Sequence, residues 1–363
     1  GPKSLTQPEY EGLTNYAYHL DAAKFGKLLA THAINEFGVN YREANIVDAE
    51  IDGNGGITKL VTDDHQFIEG DFFIDCSGFS SALLGKKLGV PFIDKDDILF
   101  VDRALALQVP YPAVNDAIPC YTIATAKSAG WIWDIGLTSR RGTGYVYSSR
   151  HIDDESAAEE YKQYLGIDFR ESEPRKINMR IGYREKFWKR NCVAIGLSQG
   201  FVEPLEATGL LVFDAAARML AEMFPVSKEM VDLPAERFNS NMKYAWDRII
   251  DFIKIHYFLS MREDTQFWID NRKENSVPET LMEDLHRWRY HLPCDYDFTN
   301  MSGIFNLENY LYVLYGMRFD TVIEALKYRY PDTDRAKKEF RALREMAKQA
   351  ERHLIPHREL VER

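Results

Sequence analysis

The stretch Asn191–Leu211, NCVAIGLSQGFVEPLEATGLL, constrains this chain more than any other. Cys192 to Gly196 is a short apolar run ending in glycine, which predicts a buried strand that opens into a loop. From Gly209 to Ala217 the pattern becomes helical, with Thr208 or Gly209 at the helix N-terminus. A strand end, a loop and a helix start form the place where α/β proteins hold anions. Free backbone N–H groups and the helix dipole both point outward there. Between strand and helix lie two carboxylates, Glu203 and Glu206, separated by Pro204 and Leu205. A carboxylate beside an anion site suggests acid–base chemistry, though the residues alone read equally well as solvated loop charges.

A chain of 363 residues is long enough for one large domain or about two smaller ones. Hydrophobic content of 45% with 28% charged residues describes a globular protein, so the loop has a core to stand on. A net charge of −11 argues against nucleic acid as a partner. No apolar run reaches the ~20 residues that span a bilayer, and no signal-peptide pattern is present. Cys76, Cys120, Cys192 and Cys294 show neither metal-ligand spacing nor a disulfide framework. They read as reduced thiols of a cytoplasmic protein. Gly1-Pro2 reads equally as a tag scar or as native sequence.

Along the chain, Asp21 caps a helix carrying Phe25, Leu28, Leu29 and Ala33, and His19 reads as a structural histidine. Ala44–Ile51 and Ile57–Thr62 read as strands joined by the glycine-rich turn Gly53–Gly56. Asp71–Phe79 is an apolar strand ending in Ser77-Gly78, as where a ligand approaches the backbone closely. Residues 95–150 are further strands. Trp131 and Trp133, two apart, fall on one face of a strand. An acidic helix follows at Asp154–Leu165, then a strand at Lys176–Arg184. Phe238–Leu259 is an amphipathic helix whose His256 reads as a packed structural residue. The tail Thr333–Leu354 is a basic amphipathic helix, expected to pack on its own protein rather than on a membrane.

Several of these blocks resemble one family. FVEPLEATG at 201–209 is similar to the FVEPLESTG segment of flavin-dependent tryptophan halogenases, and Trp131, Trp133 and Ile135 match their WxWxIP signature. YAYHLDA, FIDCSGF, GTGYVYSS, DFIKIHY with REDTQFW, and NYLYVLYG resemble further blocks of the same family. Three positions depart: Ala207 for serine, Gly136 for proline and Gln266 for proline. The resemblance implies a mixed α/β (α+β) chain: a glutathione-reductase-type FAD-binding fold, a substrate β-sheet and a C-terminal helical subdomain. Residues 1–225 would form the FAD-binding module, with the inserted sheet at about 95–190, and residues 226–363 the helical substrate-binding subdomain.

The same resemblance implies that Glu206 is catalytic and that Thr208 and Gly209 bind halide. Ile46, Leu197 and Leu210 would touch FAD, while Trp131, Trp133 and Ile135 line a channel to the substrate. Asn306 and Tyr310 fall where enzymes specific for free tryptophan hold the amino acid with a glutamate and a tryptophan. Asparagine cannot neutralise an ammonium, so free indole or an indole derivative is expected over L-tryptophan. Glu308, two residues on, would reverse that expectation if the register shifts. The implied reaction is halogenation driven by FADH2 and O2 through hypohalous acid, with a separate flavin reductase, a halide ion and a small aromatic as partners. The oligomeric state stays open, a homodimer included. The family's GxGxxG turn and its catalytic lysine have no counterpart in the chain. An omitted preceding segment is therefore expected, with a gap beside Ile74 in the flavin-domain sheet. An aromatic monooxygenase and an inactive flavoprotein-like fragment are the alternatives.

Overall fold

The computed structural model describes residues 6–362 except 9, 13, 14, 168, 170, 171 and 299–303, so Gly1-Pro2 lies outside the described residues. Its centre is a pair of parallel strands, β4 (Phe73–Asp75) and β13 (Cys192–Ala194), with β12 (Trp188–Lys189) antiparallel on the far side of β13. Cys192, Val193 and Ala194 are fully buried, which is why that strand reads as a continuous apolar run. Asp75, at the end of β4, is buried and accepts hydrogen bonds from the amides of Ser77, Leu83 and Leu84. Its carboxylate thereby caps the helical turn Ala82–Lys87 and fixes the loop leaving the strand.

A hairpin sheet, β1 (Ile46–Ile51), β2 (Ile57–Thr62) and β3 (Phe67–Glu69), precedes this pair. A small sheet joins β5 (Phe92–Asp94), β11 (Gly182–Arg184) and β14 (Gly200–Phe201). The largest sheet has five antiparallel strands in the order β10, β6, β9, β8, β7. These are β6 (Arg103–Pro110), β7 (Ile123–Lys127), β8 (Gly130–Gly136), β9 (Arg140–Tyr147) and β10 (Arg175–Asn178). Alternate residues serve its two faces. Leu105, Leu107, Ile132 and Tyr145 pack under α2 (Asp154–Leu165) through Ala157 and Tyr161. Ala104, Trp131 and Val146 face the main core.

That core is closed by helices. α1 (Ala22–Phe37), capped by Asp21 as expected, has no buried residue and stands outside that core. α3 (Gly209–Glu222) and the long α4 (Asp232–Phe258) share one cluster, with Val212, Ala216 and Leu220 against Phe238, Met242 and Trp246, so the core runs across residue 225. α5 (Gln266–Asn271), α6 (Glu279–Trp288) and α7 (Leu307–Gly316) pack on α4, and α8 (Thr333–His353) and α9 (His357–Val361) end the chain.

Two expectations need correction. The strand read over Lys176–Arg184 is two strands in two sheets, β10 and β11. The change of sheet falls before Gly182, whose φ of +139° and close approach to the Ile93 carbonyl admit no side chain. The tail helix α8 does not pack on the rest of the chain: none of its residues is buried, and Phe340 and Leu343 are exposed. The edge of β4 away from β13 likewise pairs with no strand among the described residues, and Ile74 is 51% exposed. β4 is thus an edge strand among the described residues.

Close packing in the large sheet gives a stability test. Gly144 lies opposite Trp133, and a Cβ there would stand 2.1 Å from the indole ring. Gly144→Ala is expected to lose about 1–3 kcal/mol in urea unfolding. Adding Trp133→Phe, which shortens the ring, should restore part of that loss. An unchanged midpoint in the single variant would contradict the packing.

Candidate active site

The C-terminal ends of β4 and β13 lie side by side, and each opens into a short turn, Gly78–Ser80 and Gly196–Ser198. Gly78 and Gly196 take φ of +68° and +85°, and a Cβ on either would meet nothing within 4 Å, so bare backbone faces outward at both turns. From β14 the chain continues through Val202–Thr208 into α3. Ala207 sits at φ +53°, a left-handed conformation rare for alanine, and its N–H donates to the Pro204 carbonyl at 3.1 Å. The first helical bond of α3 runs from the Val212 N–H to the Thr208 carbonyl at 3.0 Å. The amides of Gly209 to Leu211 precede it and have no partner within the helix. Thr208 is buried, whereas Leu210 is 70% exposed beside this helix start.

Glu206 is partly exposed, and its Oε1 lies 2.8 Å from His256 Nε2. His256 Nδ1 lies 2.8 Å from the Phe252 carbonyl. A carbonyl only accepts, so Nδ1 carries a hydrogen. The contact to Glu206 then needs one more proton, on Nε2 as an ion pair or on the carboxyl as a neutral pair. His256 therefore links Glu206 to the backbone of α4 next to the helix start.

Glu203 is completely buried. Its Oε2 accepts from the Trp131 indole N–H at 2.7 Å and from the Tyr257 hydroxyl, while Oε1 has no partner. Burial pushes its pKa up to about 7, against the pull of these two bonds and the charges of His256 and Lys254. Burial likewise presses Lys254 down to about 7, opposed by Glu203. The Lys254 ammonium donates to the Ile98 carbonyl at 3.1 Å and to Asn271 Oδ1 at 3.0 Å. His256 and Tyr257, adjacent on α4, thus reach Glu206 and Glu203 respectively, while the nearby Lys254 is bonded to Ile98 and Asn271.

The residues singled out by sequence separate into groups. Glu206, Thr208, Gly209 and Leu210 share the loop and helix start, and Leu197, in the turn after β13, is packed beside α3. Ile46 stands apart at the start of β1, in another sheet. Trp133 and Ile135 are half-buried on β8. Trp131 is 4% exposed in the core, and its indole N–H donates to the buried Glu203. Gly136, at the end of β8, is closely surrounded. It is buried, and a side chain there would meet Ile118, Tyr111 and Pro119.

Asn306 is exposed and engaged at the start of α7. It caps α7, exchanging side-chain and backbone hydrogen bonds with Asn309 at 3.3 and 3.0 Å. Tyr310 is buried among Phe252, Trp288 and Phe298 and presents no open ring face. Sequence reasoning passed over His256 as a packing residue. The signal was its company, since Lys254, His256 and Tyr257 interrupt an otherwise apolar helix segment.

This constellation coincides with a family. The tryptophan halogenase family model matches residues 2–327, and the chain belongs to that family. It is 38% identical over 352 residues to a tryptophan 6-halogenase from Streptomyces toxytricini, covering 96% of this chain and 66% of the relative. It is 37% identical over 360 residues to a 7-chloro-L-tryptophan 6-halogenase from Kutzneria sp. (strain 744), covering 99% and 69%. The solved tryptophan halogenase from Shewanella frigidimarina NCIMB 400 superposes with a TM-score of 0.94 at 39% identity, covering all of this chain and 69% of that one. A flavin-dependent halogenase from Brevundimonas sp. BAL3 gives 0.82 at 34% identity, covering 95% and 68%. The chain therefore has the FAD-binding fold of these enzymes and spans about two thirds of the length of the relatives it matches.

Glu203 makes the site's stability depend on pH. A carboxyl with a folded pKa above its unfolded one favours folding only while protonated. Its contribution is complete below about 4.5 and is lost as pH rises through about 7. Lys254, depressed instead, contributes above about 10.5 and loses that contribution as pH falls towards about 7. Glu203→Gln removes the first effect. Relative to that variant, the wild type should lose on the order of 2–3 kcal/mol between pH 4.5 and 7, read by urea unfolding. A difference that stays flat with pH would show that burial does not govern this carboxyl.

Proposed function

We propose that this protein is a flavin-dependent halogenase acting on the indole ring of tryptophan. The observation carrying this reading is Glu206, paired with His256 and set two residues before Thr208-Gly209, where α3 starts. A halide ion fits there because the helix start offers N–H groups and a favourable dipole with no side-chain requirement. That independence also makes Ala207 acceptable where relatives have serine.

The residues present fit a flat cofactor ring. Gly78 and Gly196 leave two strand-end turns without side chains, and Leu197 and the exposed Leu210 add apolar surface next to them. Reduced FAD, regenerated by a separate reductase, would supply the oxygen activation that turns halide into hypohalous acid. Glu206 and His256 hold one proton between them, so Glu206 can donate it towards the oxygen of the halogenating species. It can later take the proton that leaves the aromatic carbon once the carbon–halogen bond has formed. Thr208-Gly209 fixes the halide's starting position close to that carboxyl.

The expectation of free indole is withdrawn. It rested on Asn306 standing where an ammonium partner should be, and Asn306 is occupied in capping α7. The named relatives act on tryptophan or chlorotryptophan. Tryptophan brings an ammonium that needs a carboxylate, and Glu308, exposed in the first turn of α7, is the one the sequence places nearest.

The test supplies the protein with FAD, a flavin reductase, NADH, chloride or bromide, and equal tryptophan and indole, with products read by mass. Halogenated tryptophan is expected to dominate. Glu206→Gln should lower turnover about 10²–10⁴-fold with the fold intact. Wild-type turnover in that variant would remove Glu206 from the chemistry. Hydroxylated product independent of halide would instead identify a monooxygenase.

A further inference from the structure

We propose that Glu203 is a positioning residue: gripped by the Trp131 indole N–H and the Tyr257 hydroxyl, it fixes the loop that aims Glu206. This rests on Glu206 being the catalytic carboxylate. Glu203 cannot be that group itself, because its side chain is sealed from solvent. Burying a carboxylate costs several kcal/mol unless it is bonded, and a leucine could fill a core position without that cost. What a carboxylate adds is direction.

The donors come from two different elements. Trp131 lies on β8, an inner strand of the five-stranded sheet between β9 and β7, and Tyr257 lies near the end of α4. Both bonds converge on one oxygen, Oε2, so the side chain is held from two sides at a single point. Pro204 follows directly and restricts the backbone, and the Ala207 N–H closes the turn back onto the Pro204 carbonyl at 3.1 Å. Little freedom remains between the anchor at 203 and the carboxyl at 206. Tyr257 is also the chain neighbour of His256, which holds Glu206. One turn of α4 therefore grips both glutamates, and releasing Glu203 lets Glu206 move relative to His256.

Three variants separate this role from others. Glu203→Gln keeps a carbonyl oxygen able to accept both donors and removes only the ionisable group. Glu203→Leu removes the acceptor, and Trp131→Phe removes one donor while keeping an aromatic ring in the core. The readouts are kcat and KM for tryptophan, and amide hydrogen exchange across residues 202–209. Expected are a kcat within about threefold of wild type for Glu203→Gln and a loss of about 10²-fold for Glu203→Leu, KM unchanged. Trp131→Phe should fall between them. Exchange in the loop should quicken about tenfold in Glu203→Leu and Trp131→Phe, but not in Glu203→Gln. If Glu203→Leu does not fold, Trp131→Phe against Glu203→Gln decides alone. Equal losses in Glu203→Gln and Glu203→Leu would make Glu203 a proton carrier and overturn the proposal, as would unchanged exchange in Trp131→Phe. Exchange needs no turnover. Failure of halogenation in the wild type would therefore sink the proposed function and leave the clamp to be judged by the loop's protection.

Discussion

The burial of Glu203 is the constraint on which the site depends. An isolated carboxylate in an apolar core is costly, so the fold must bring donors to it or keep it protonated. Here the donors are an indole N–H from a strand and a phenol from a helix, and the nearby positive charges are His256 and Lys254, the latter itself buried and pressed towards neutrality. Each of these groups is expensive alone and tolerable together. That mutual requirement ties β8, the 202–208 loop and α4 into one unit. It also accounts for a run of three polar groups, Lys254, His256 and Tyr257, within a helix segment whose other residues are core.

The layers around this unit divide the labour. The five-stranded sheet is covered by α2 on one face and by the main core on the other, so β8 is rigid where it presents Trp131. The parallel pair β4 and β13 contributes its strand ends, with Asp75 holding one exit loop through three backbone amides. Binding sites of open α/β sheets lie at such ends, because the loops there leave N–H groups free for a ligand. The groups with the tightest geometry stand on rigid elements, and the groups left open face the ligand side.

Much of this was legible in the sequence, for stated reasons. A glycine-terminated apolar run followed by a helical pattern identifies strand, loop and helix start, and those elements are where the reading put them. Asp21 as a cap and Asp154–Leu165 as a helix follow from local hydrogen bonding and periodicity. What failed were statements about partners. His256 looked like packing because a helical stripe reports which face is buried, not what a polar group on that face meets. Asn306 looked like a substrate contact because alignment compares positions, whereas a capping box depends on Asn309. Lys176–Arg184 looked like one strand because alternation continues through a change of sheet. Trp131 and Glu203, 72 residues apart, became a pair only in three dimensions.

Ala207 shows how these pieces bear on the chemistry. A left-handed alanine is worse than an extended one by roughly 1–2 kcal/mol, so the loop keeps that conformation only if its neighbours enforce it. Three of them do. The Ala207 N–H bonds to the Pro204 carbonyl, Thr208 is buried and starts α3, and Glu203 is pinned before the proline. Because the turn is enforced from both ends, residue 207 needs no hydroxyl to hold it, and alanine can stand where serine does in the relatives. The amides that follow keep their outward aim through main-chain geometry alone. The anion binding proposed for this helix start would therefore be insensitive to the side chain at 207 and sensitive to whatever moves the backbone between Glu203 and Thr208.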